Sequence, residues 1–297
     1  MPSRRDGVPT GLPRAARSFR DERCVDPRNL RRVAAWATVA VTVVQAPTAA
    51  LALRRSRRDF ADAVWGPGLA AVALTGAVAG RGDAARRWGL AAITSAWAAR
   101  LAHAMFRRIS ASEHEDPRYT EFLGEDSPAK VIAKVFVTQG LAQLVVSAPV
   151  QLAAASRLPG GVRRRLAPAG LAVMILGAAI EALADRQKAR YAELDRDERP
   201  DVLDSGLWAW SRHPNYFGDS LVWDGAWLAC AASPPGALLV PAPALMSYLL
   251  MFATGAKRTE RQMQDRPGYR DYQRRVAFFF PRREAGGGQA GSATPQP

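Results

Sequence analysis

The chain has 297 residues, a formal net charge of +14 and two cysteines, and 48% of its residues are hydrophobic. Such a charge is found in proteins that bind nucleic acids, in proteins attracted to membrane surfaces and in integral membrane proteins with basic loops. The basic residues flank apolar segments, and the sequence has no recognition helix and no basic patch studded with aromatic residues, so we expect no nucleic-acid partner. Two cysteines are too few for a disulfide framework.

The two ends of the chain differ in composition from the rest. Residues 1–30 are polar and basic and are expected to form a disordered tail. Residues 284–297 consist largely of Gly, Ser, Pro and Ala and are also expected to be disordered. Between them, residues 31–283 are predicted to form one helical transmembrane domain.

Apolar segments recur along this central part of the chain. The first, VAAWATVAVTVVQAPTAALAL at 33–53, carries no charge, and at 1.5 Å per helical residue it can cross a bilayer core of roughly 30 Å. Six similar segments follow, at 61–80, 88–106, 131–155, 166–184, 217–232 and 236–255. The sequence therefore predicts an all-α, polytopic integral membrane bundle with about seven transmembrane helices.

Lysine and arginine are distributed unevenly between the two sides of these predicted spans. With the N-terminus outside, the segments 54–58, 107–130, 185–213 and 256–283 lie on one side and carry more basic residues than the segments on the other side. This excess predicts that they, and the C-terminus, are cytoplasmic. We therefore expect a multi-pass protein of the cell membrane, with its polar 185–213 segment on the side where soluble phosphorylated cofactors are found.

The segment GLWAWSRHPNYFGD at 206–219 places polar residues where the chain is expected to enter the membrane. Pro214 favours the first turn of a helix, so the residues after it are predicted to lie in the first turns. A helix N-terminus suits an anionic phosphate or a polar carboxamide. The alternative is an interface anchor, which would need Trp208 and Trp210 but not the polar residues. The predicted cofactor contacts in this segment are Arg212, His213, Asn215, Tyr216 and Asp219.

Arg100, His103 and Arg107 share one face of a predicted membrane helix. Ionisable residues in a bilayer are costly and often mark a functional site. The alternative is that Arg107 extends to the membrane interface and His103 is an ordinary core histidine.

Glu181, Asp185 and Lys188 share a face of a second helix. Surface pairing between neighbouring turns explains Asp185 with Lys188. It does not explain Glu181, which lies nearer the membrane.

Residues 256–283 concentrate basic and tyrosine side chains. Arginine matches phosphate oxygens, so the segment is a candidate phosphate-binding region. An amphipathic helix lying on anionic membrane lipid explains the same residues equally well, and both interpretations can hold together. The residues are Lys257, Arg258, Arg261, Tyr269, Tyr272, Arg274 and Arg275.

Metal and nucleotide-binding motifs are missing from the sequence. The three histidines, His103, His114 and His213, do not form a two-histidine metal motif, and there is no GxGxxG and no P-loop. We therefore expect no metal, and we expect any nucleotide to be held by the ends of membrane helices.

GLWAWSRHPNYFGD resembles the signature of a bacterial membrane-protein family of unknown function that is grouped with the C-terminal domain of steroid 5-alpha-reductases. The similarity extends over about residues 35–283. Its RHPNY part alone is also similar to membrane methyltransferases that resemble isoprenylcysteine carboxyl methyltransferase. Further features that agree in order and spacing are EDPRY at 115–119, Gln139, Pro149, EALADRQKARY at 181–191 and YRDYQRRVAFFFP at 269–281.

The resemblance implies a seven-helix membrane fold that holds NADPH in a cavity open to the cytoplasm. It implies reduction of a carbon–carbon double bond conjugated to a carbonyl, in a lipid-soluble substrate that is steroid-like or another lipid. On this basis Asn215 would contact the nicotinamide end, Asp185 and Asp219 would belong to the cofactor network, and basic loop and tail residues would bind phosphates. Arg118 and Tyr119 would close the cavity. Together with the patterns above, the predicted cofactor-binding residues are Asn215, Asp219, Asp185, Arg212, His213, Tyr216, Arg118, Tyr119, Arg258, Tyr269, Tyr272 and Arg275.

One departure from the resembled family concerns the substrate. Steroid reductases of this superfamily pair an intramembrane glutamate with a tyrosine to hold the substrate oxygen, but here the first two spans contain no glutamate and Ala104 stands where the tyrosine is expected. Polarisation of the substrate would then fall to His103 or Arg100, the predicted catalytic residues.

Three functions are compatible with these features. The first is an NADPH-dependent oxidoreductase that acts on CH–CH groups, with a lipid-soluble substrate and membrane lipids as its partners. The second is an S-adenosylmethionine-dependent membrane methyltransferase, favoured by RHPNY and by Glu260 ahead of the C-terminal tyrosines. The third is a membrane protein that retains the fold without enzymatic activity.

Overall fold

The computed structural model describes residues 24–253 and 255–282 of the chain. These residues form helices joined by short loops, and no strand is found among them beyond an isolated bridge between Val25 and Ser156. The C-terminal tail expected at 284–297 lies outside the described residues. So does most of the N-terminal tail expected at 1–30, although the first helix already begins at Pro27.

Thirteen α-helices are named in chain order among the described residues. They are α1 (Pro27–Arg55), α2 (Phe60–Ala63), α3 (Trp65–Ala79), α4 (Ala84–Ser110), α5 (Pro117–Leu123), α6 (Pro128–Val131), α7 (Thr138–Val146), α8 (Ala148–Ala155), α9 (Leu166–Glu193), α10 (Pro214–Ala231), α11 (Pro241–Tyr248), α12 (Ala256–Met263) and α13 (Tyr269–Arg275). Short 3₁₀ helices lie at Val162–Arg165, Gly206–Ala209 and Pro234–Leu239, and π-helical turns at Ile132–Val137 and Leu249–Ala253.

Five helical stretches within the described residues are long and apolar enough to cross a membrane. The expected spans at 88–106 and 217–232 lie on α4 and α10, which are helical but are not among these five. Arg100 on α4 and Asp219 on α10 interrupt the apolar character of these two helices. The five stretches are Pro27–Arg55, Phe60–Ala79, Pro128–Val146, Val162–Glu193 and Pro234–Met263.

Several helices begin where the sequence supplies a cap or a proline, α4, α5, α8 and α10 among them. Asp83 and Asp116 each accept a hydrogen bond from a backbone N–H in the first turn of the helix that follows them. Proline stands in the first turn of α10 at Pro214, as the sequence predicts. Pro149 does the same for α8, which breaks the expected 131–155 span at Ser147. Local signals therefore decide most helix starts.

Helices α9 and α10 pack so closely that their backbones touch. A Cβ atom added to Gly218 would lie 2.6 Å from the backbone nitrogen of Glu181 and 2.7 Å from the carbonyl oxygen of Gly177. Gly170 and Gly225 form a second contact of this kind farther along the same pair of helices. Small residues allow membrane helices to approach in this way. The contact brings the polar end of α9 directly against the first turns of α10.

Arg86 fixes the start of α4 against two other helix ends. Its guanidinium is buried and donates hydrogen bonds to the carbonyl oxygens of Ala153 at 3.0 Å and Ser156 at 2.6 Å, and to the hydroxyl of Ser233 at 3.0 Å. Arg100 follows on the same helix, about 21 Å further along at 1.5 Å per residue. Arg86 therefore helps to set the position at which Arg100 meets α9 and α10.

The close contact between α9 and α10 predicts that Gly218→Ala destabilises the protein. The added methyl group meets backbone atoms that cannot rotate away, and overpacking of this kind costs about 1–3 kcal/mol. Equilibrium unfolding in mixed detergent micelles measures the change. Gly160→Ala is the matched control, because a Cβ at Gly160 meets nothing within 4 Å. Equal stability of the two variants would contradict the prediction.

Candidate functional site

Five polar residues from three helices meet inside the bundle, and we call them the polar cluster. Arg100 comes from α4, Glu181 and Asp185 from α9, and Asn215 and Asp219 from α10. The Arg100 guanidinium forms ion pairs with Glu181 and, at 2.7 Å, with Asp185. The Asn215 side chain donates a hydrogen bond of 3.2 Å to Asp185. The structure therefore brings together four residues that the sequence assigned to catalysis or cofactor binding.

Two tryptophans form the apolar wall of the polar cluster. The Trp97 indole donates a hydrogen bond of 2.9 Å to Glu181, and its ring meets that of Trp223 edge to face at a centroid distance of 5.5 Å. Both rings are buried. Asp219 lies beside Trp223, one turn earlier on the same helix. Glu181 and Asp219 are thus buried beside aromatic side chains, whereas Asp185 at the edge of the cluster remains partly exposed.

Several polar atoms of this region lack hydrogen-bond partners among the described residues. They include Oδ1 of Asn215, Oδ1 of Asp219, Nε1 of Trp223 and Nε of Arg100, all of them buried. Buried polar atoms are normally hydrogen-bonded, because an unsatisfied one costs about 1–3 kcal/mol. The Trp223 indole lies near the Asp219 carboxyl group and can interact with it, so Oδ1 of Asn215 and Nε of Arg100 are the clearest unsatisfied atoms. This is the arrangement expected of a site that takes a polar ligand.

The loop after α4 is held against the start of α2 by a second set of charged residues. Arg118 forms ion pairs with Asp62 at 2.5 Å and Asp116 at 2.9 Å, and the Tyr119 hydroxyl donates to Asp62 at 2.7 Å. Burial and the Asp62 carboxylate raise the pKa of Tyr119 above its usual value, so the phenol keeps its proton. Arg118 also lies within electrostatic range of Tyr216. This loop therefore lies near the start of α10, to which Tyr216 belongs.

Arg212 and His213 connect the start of α10 to the C-terminal segment. Arg212 pairs with Glu260 at 2.5 Å, and Nε2 of His213 lies 3.4 Å from the same carboxylate. The His213 ring stacks on Tyr216 at a centroid distance of 5.8 Å. Burial lowers the pKa of His213 below its usual value, although Glu260 opposes this effect. The neutral imidazole is therefore favoured at this position.

The C-terminal residues predicted to bind cofactor take part in packing and ion pairs. Tyr269 and Tyr272 are buried together, and the Tyr272 hydroxyl donates a hydrogen bond of 2.7 Å to the carbonyl oxygen of Trp208. Burial raises the pKa of Tyr269 to about 12 and that of Tyr272 as well, so both phenols stay neutral. Arg258 pairs with Glu121 at 2.8 Å and Arg275 with Asp204 at 3.2 Å.

The two predicted catalytic residues are placed differently. Arg100 lies in the polar cluster, whereas His103 is exposed on α4. Arg100, His103 and Arg107 were predicted to share one helical face, but only Arg100 of the three is directed into the cluster; His103 and Arg107 are exposed.

Asp62 and the two cluster tryptophans were not singled out in the sequence. Asp62 lies at the edge of an apolar span, and a lone carboxylate in that place is the signal that could have identified it. Trp97 and Trp223 carry no such signal, because an indole inside an apolar helix reads as core.

A protein family matches most of the chain. The family is described as "Protein of unknown function (DUF1295)", and it matches residues 49–276. The chain belongs to this family. All five residues of the polar cluster lie inside the matched range, as do Arg118, Tyr119 and Glu260.

The chain is also similar to an uncharacterized protein of the fission yeast Schizosaccharomyces pombe. The two are 31% identical over 121 residues, and the match covers 35% of this chain and 35% of the yeast protein. The chain thus matches about a third of the length of that relative. No solved structure matches the chain significantly.

The ion pair between Arg100 and Glu181 predicts energetic coupling between the two helices that carry it. Arg100→Met leaves the Glu181 carboxylate without its counter-charge, and Glu181→Gln leaves Arg100 with Asp185 as its remaining ion-pair partner. The double variant removes both members of the pair, so its destabilisation is smaller than the sum. We expect a coupling free energy of about 1–3 kcal/mol in a double-mutant cycle measured by unfolding in mixed micelles. The control cycle replaces Arg100→Met with Arg54→Met, at an exposed site on α1. A coupling free energy near zero in the first cycle would contradict the ion pair.

Proposed function

We propose that the protein is a membrane-embedded, NAD(P)H-dependent reductase of a conjugated double bond in a lipid-soluble substrate. The observation that carries the proposal is the polar cluster with its unsatisfied buried atoms, set inside apolar helices. Bound NAD(P)H would supply the hydride. The residues of the chain would hold the nicotinamide end, polarise the substrate and exclude water.

Asn215 is suited to holding a carboxamide. Its side-chain nitrogen already donates to Asp185, which fixes the orientation of the amide and leaves Oδ1 as a buried acceptor without a partner. A carboxamide N–H is the complementary donor. Asp219, with its own unsatisfied oxygen, stands one turn further along α10 and would accept a second hydrogen bond.

Arg100 is the candidate for polarising a substrate carbonyl. Its terminal nitrogens face Glu181 and Asp185, but Nε is a buried donor without a partner among the described residues. A hydrogen bond from this atom would stabilise negative charge on a carbonyl oxygen, and such preorganised donors contribute strongly in a site that excludes water. His103, which is exposed, would contribute only from the membrane-facing side of α4.

The phosphate end of the cofactor needs cations outside the polar cluster. Arg118, Arg212 and Arg258 are each paired with a carboxylate in the structure, so they would have to share their donors with a phosphate. Lys188 forms no ion pair within the described part of the chain and lies within electrostatic range of His213. We therefore assign the first phosphate contact to Lys188, with the paired arginines around it.

The membrane arrangement is part of the same proposal. Two further spans on α4 and α10 would bring the five apolar stretches to seven, in a fold resembling steroid 5-alpha-reductases. The charged residues within these two helices, Arg100 on α4 and Asp219 on α10, would be stabilised by their contacts in the polar cluster. The excess of basic residues in 185–213 and 256–283 supports a cytoplasmic cofactor side.

A methyltransferase is the second candidate, favoured by the contact of Glu260 with Arg212 and His213. This contact unites the two sequence features shared with membrane methyltransferases, the RHPNY segment and the following glutamate. Transfer of a labelled methyl group from S-adenosylmethionine to extracted lipid by the purified protein would support the methyltransferase over the reductase.

Binding of NADPH should quench tryptophan fluorescence, because Trp97 and Trp223 line the polar cluster. We expect Asn215→Ala to weaken NADPH binding about tenfold or more, since it removes the carboxamide partner and frees Asp185. Fluorescence titration of the detergent-purified protein measures both effects. Glu198→Gln, at an exposed position outside the cluster, is the control.

The reductase proposal fails if millimolar NADPH and NADH both leave the fluorescence and the thermal stability of the wild-type protein unchanged. It also fails if Asn215→Ala binds NADPH as tightly as the Glu198→Gln control.

A further inference from the structure

The polar cluster contains more acidic than basic side chains. One guanidinium, Arg100, faces the carboxyl groups of Glu181, Asp185 and Asp219. Glu181 and Asp219 are both buried, so water cannot compensate their charge. The cluster must therefore be balanced by bound protons or by a positively charged ligand.

Among the three carboxyl groups, that of Asp219 has no ion-pair partner among the described residues. Asp219 is 6% exposed, its Oδ1 has no hydrogen-bond partner among the described residues, and Arg100 is already paired with the two other carboxylates. Two indoles complete the surroundings, since Trp97 donates to Glu181 and Trp223 lies beside Asp219. Buried carboxylates attract organic cations, and aromatic side chains commonly line the sites that bind them.

We propose that the polar cluster binds an onium group, a positively charged ring nitrogen or sulfur, in preference to the neutral form of the same ligand. For the nicotinamide ring this rests on the proposed function, and it means that NADP⁺ binds more tightly than NADPH. The sulfonium of S-adenosylmethionine is the other source of the same chemistry, with S-adenosylhomocysteine as its neutral form.

The preference has a consequence for the reductase. A site that holds the oxidised cofactor more tightly than the reduced one makes the bound reduced cofactor a stronger hydride donor, because differential binding adds to the driving force of the transfer. The same preference slows release of the oxidised cofactor. The charge of the cluster would thus favour the chemical step at the expense of turnover.

The test compares the two members of each pair by isothermal titration calorimetry on the full-length protein in detergent. We expect the wild-type protein to bind NADP⁺ about tenfold or more tightly than NADPH, because a buried carboxylate interacts strongly with a nearby charge. Asp219→Asn keeps the shape of the side chain and removes its charge, so the preference should fall to within about threefold. Asp201→Asn makes the same change at an exposed site and should keep the wild-type preference.

Asp185→Asn is a second variant in case Asp219→Asn does not fold, because Asp185 keeps 38% of its side chain exposed and is less constrained by packing. Thermal unfolding of each variant verifies folding before titration. Asp185→Asn should also lower the NADP⁺ preference, whereas a purely structural role would change the stability and leave the ratio of the two affinities unaltered.

Each outcome separates this proposal from the reductase. Equal affinities for NADP⁺ and NADPH, or a preference that survives both substitutions, overturns the onium site and leaves the reductase standing. Binding of S-adenosylmethionine over S-adenosylhomocysteine without binding of either nicotinamide nucleotide supports the onium site and overturns the reductase. Binding of none of the four ligands overturns both.

Discussion

The close contact of α9 with α10 is the constraint on which the polar cluster depends. Because Gly177 and Gly218 have no side chains, the two helix backbones pack closely together. This close packing places Glu181 and Asp185 on α9 beside Asn215 and Asp219 on α10. Arg100 then reaches both carboxylates of α9 from the neighbouring helix. A bulkier residue at the contact would separate the helices and disconnect the cluster, because packed interiors do not absorb such a change by compression.

The cluster also explains how strongly polar groups can lie among apolar helices. Paired and hydrogen-bonded charges are tolerated in a low-dielectric interior, whereas isolated charges are not. Arg100 serves two carboxylates, and Trp97 and Asn215 add hydrogen bonds to the same groups. The atoms that remain unsatisfied lie on α4 and α10, on residues that include Asn215 and Asp219. Stability thus accounts for part of the cluster, and we propose that a bound ligand satisfies the remaining atoms.

The fold and the candidate site were predictable to different degrees. Apolar length and the proline at 214 indicated helical stretches and the start of α10, because these signals act locally. The sequence also predicted which helical face carries Arg100. It could not predict the partners of Arg100 on α9, because the position of a residue on a helical face does not determine which other helix packs against that face. Likewise Arg212 looks like a free phosphate ligand in the sequence, yet it pairs with Glu260, 48 residues away. Charge neutralisation between distant segments is decided by tertiary packing.

A high-resolution cryo-electron microscopy map of the protein in lipid nanodiscs, purified without added nucleotide, tests the central claim most directly. We expect Arg100, Glu181, Asp185, Asn215 and Asp219 to be gathered between α4, α9 and α10, with non-protein density in contact with the amide of Asn215 or the carboxyl group of Asp219. Side chains of α9 and α10 that face lipid in separate directions, or a cluster whose polar atoms are all satisfied by one another, would contradict it.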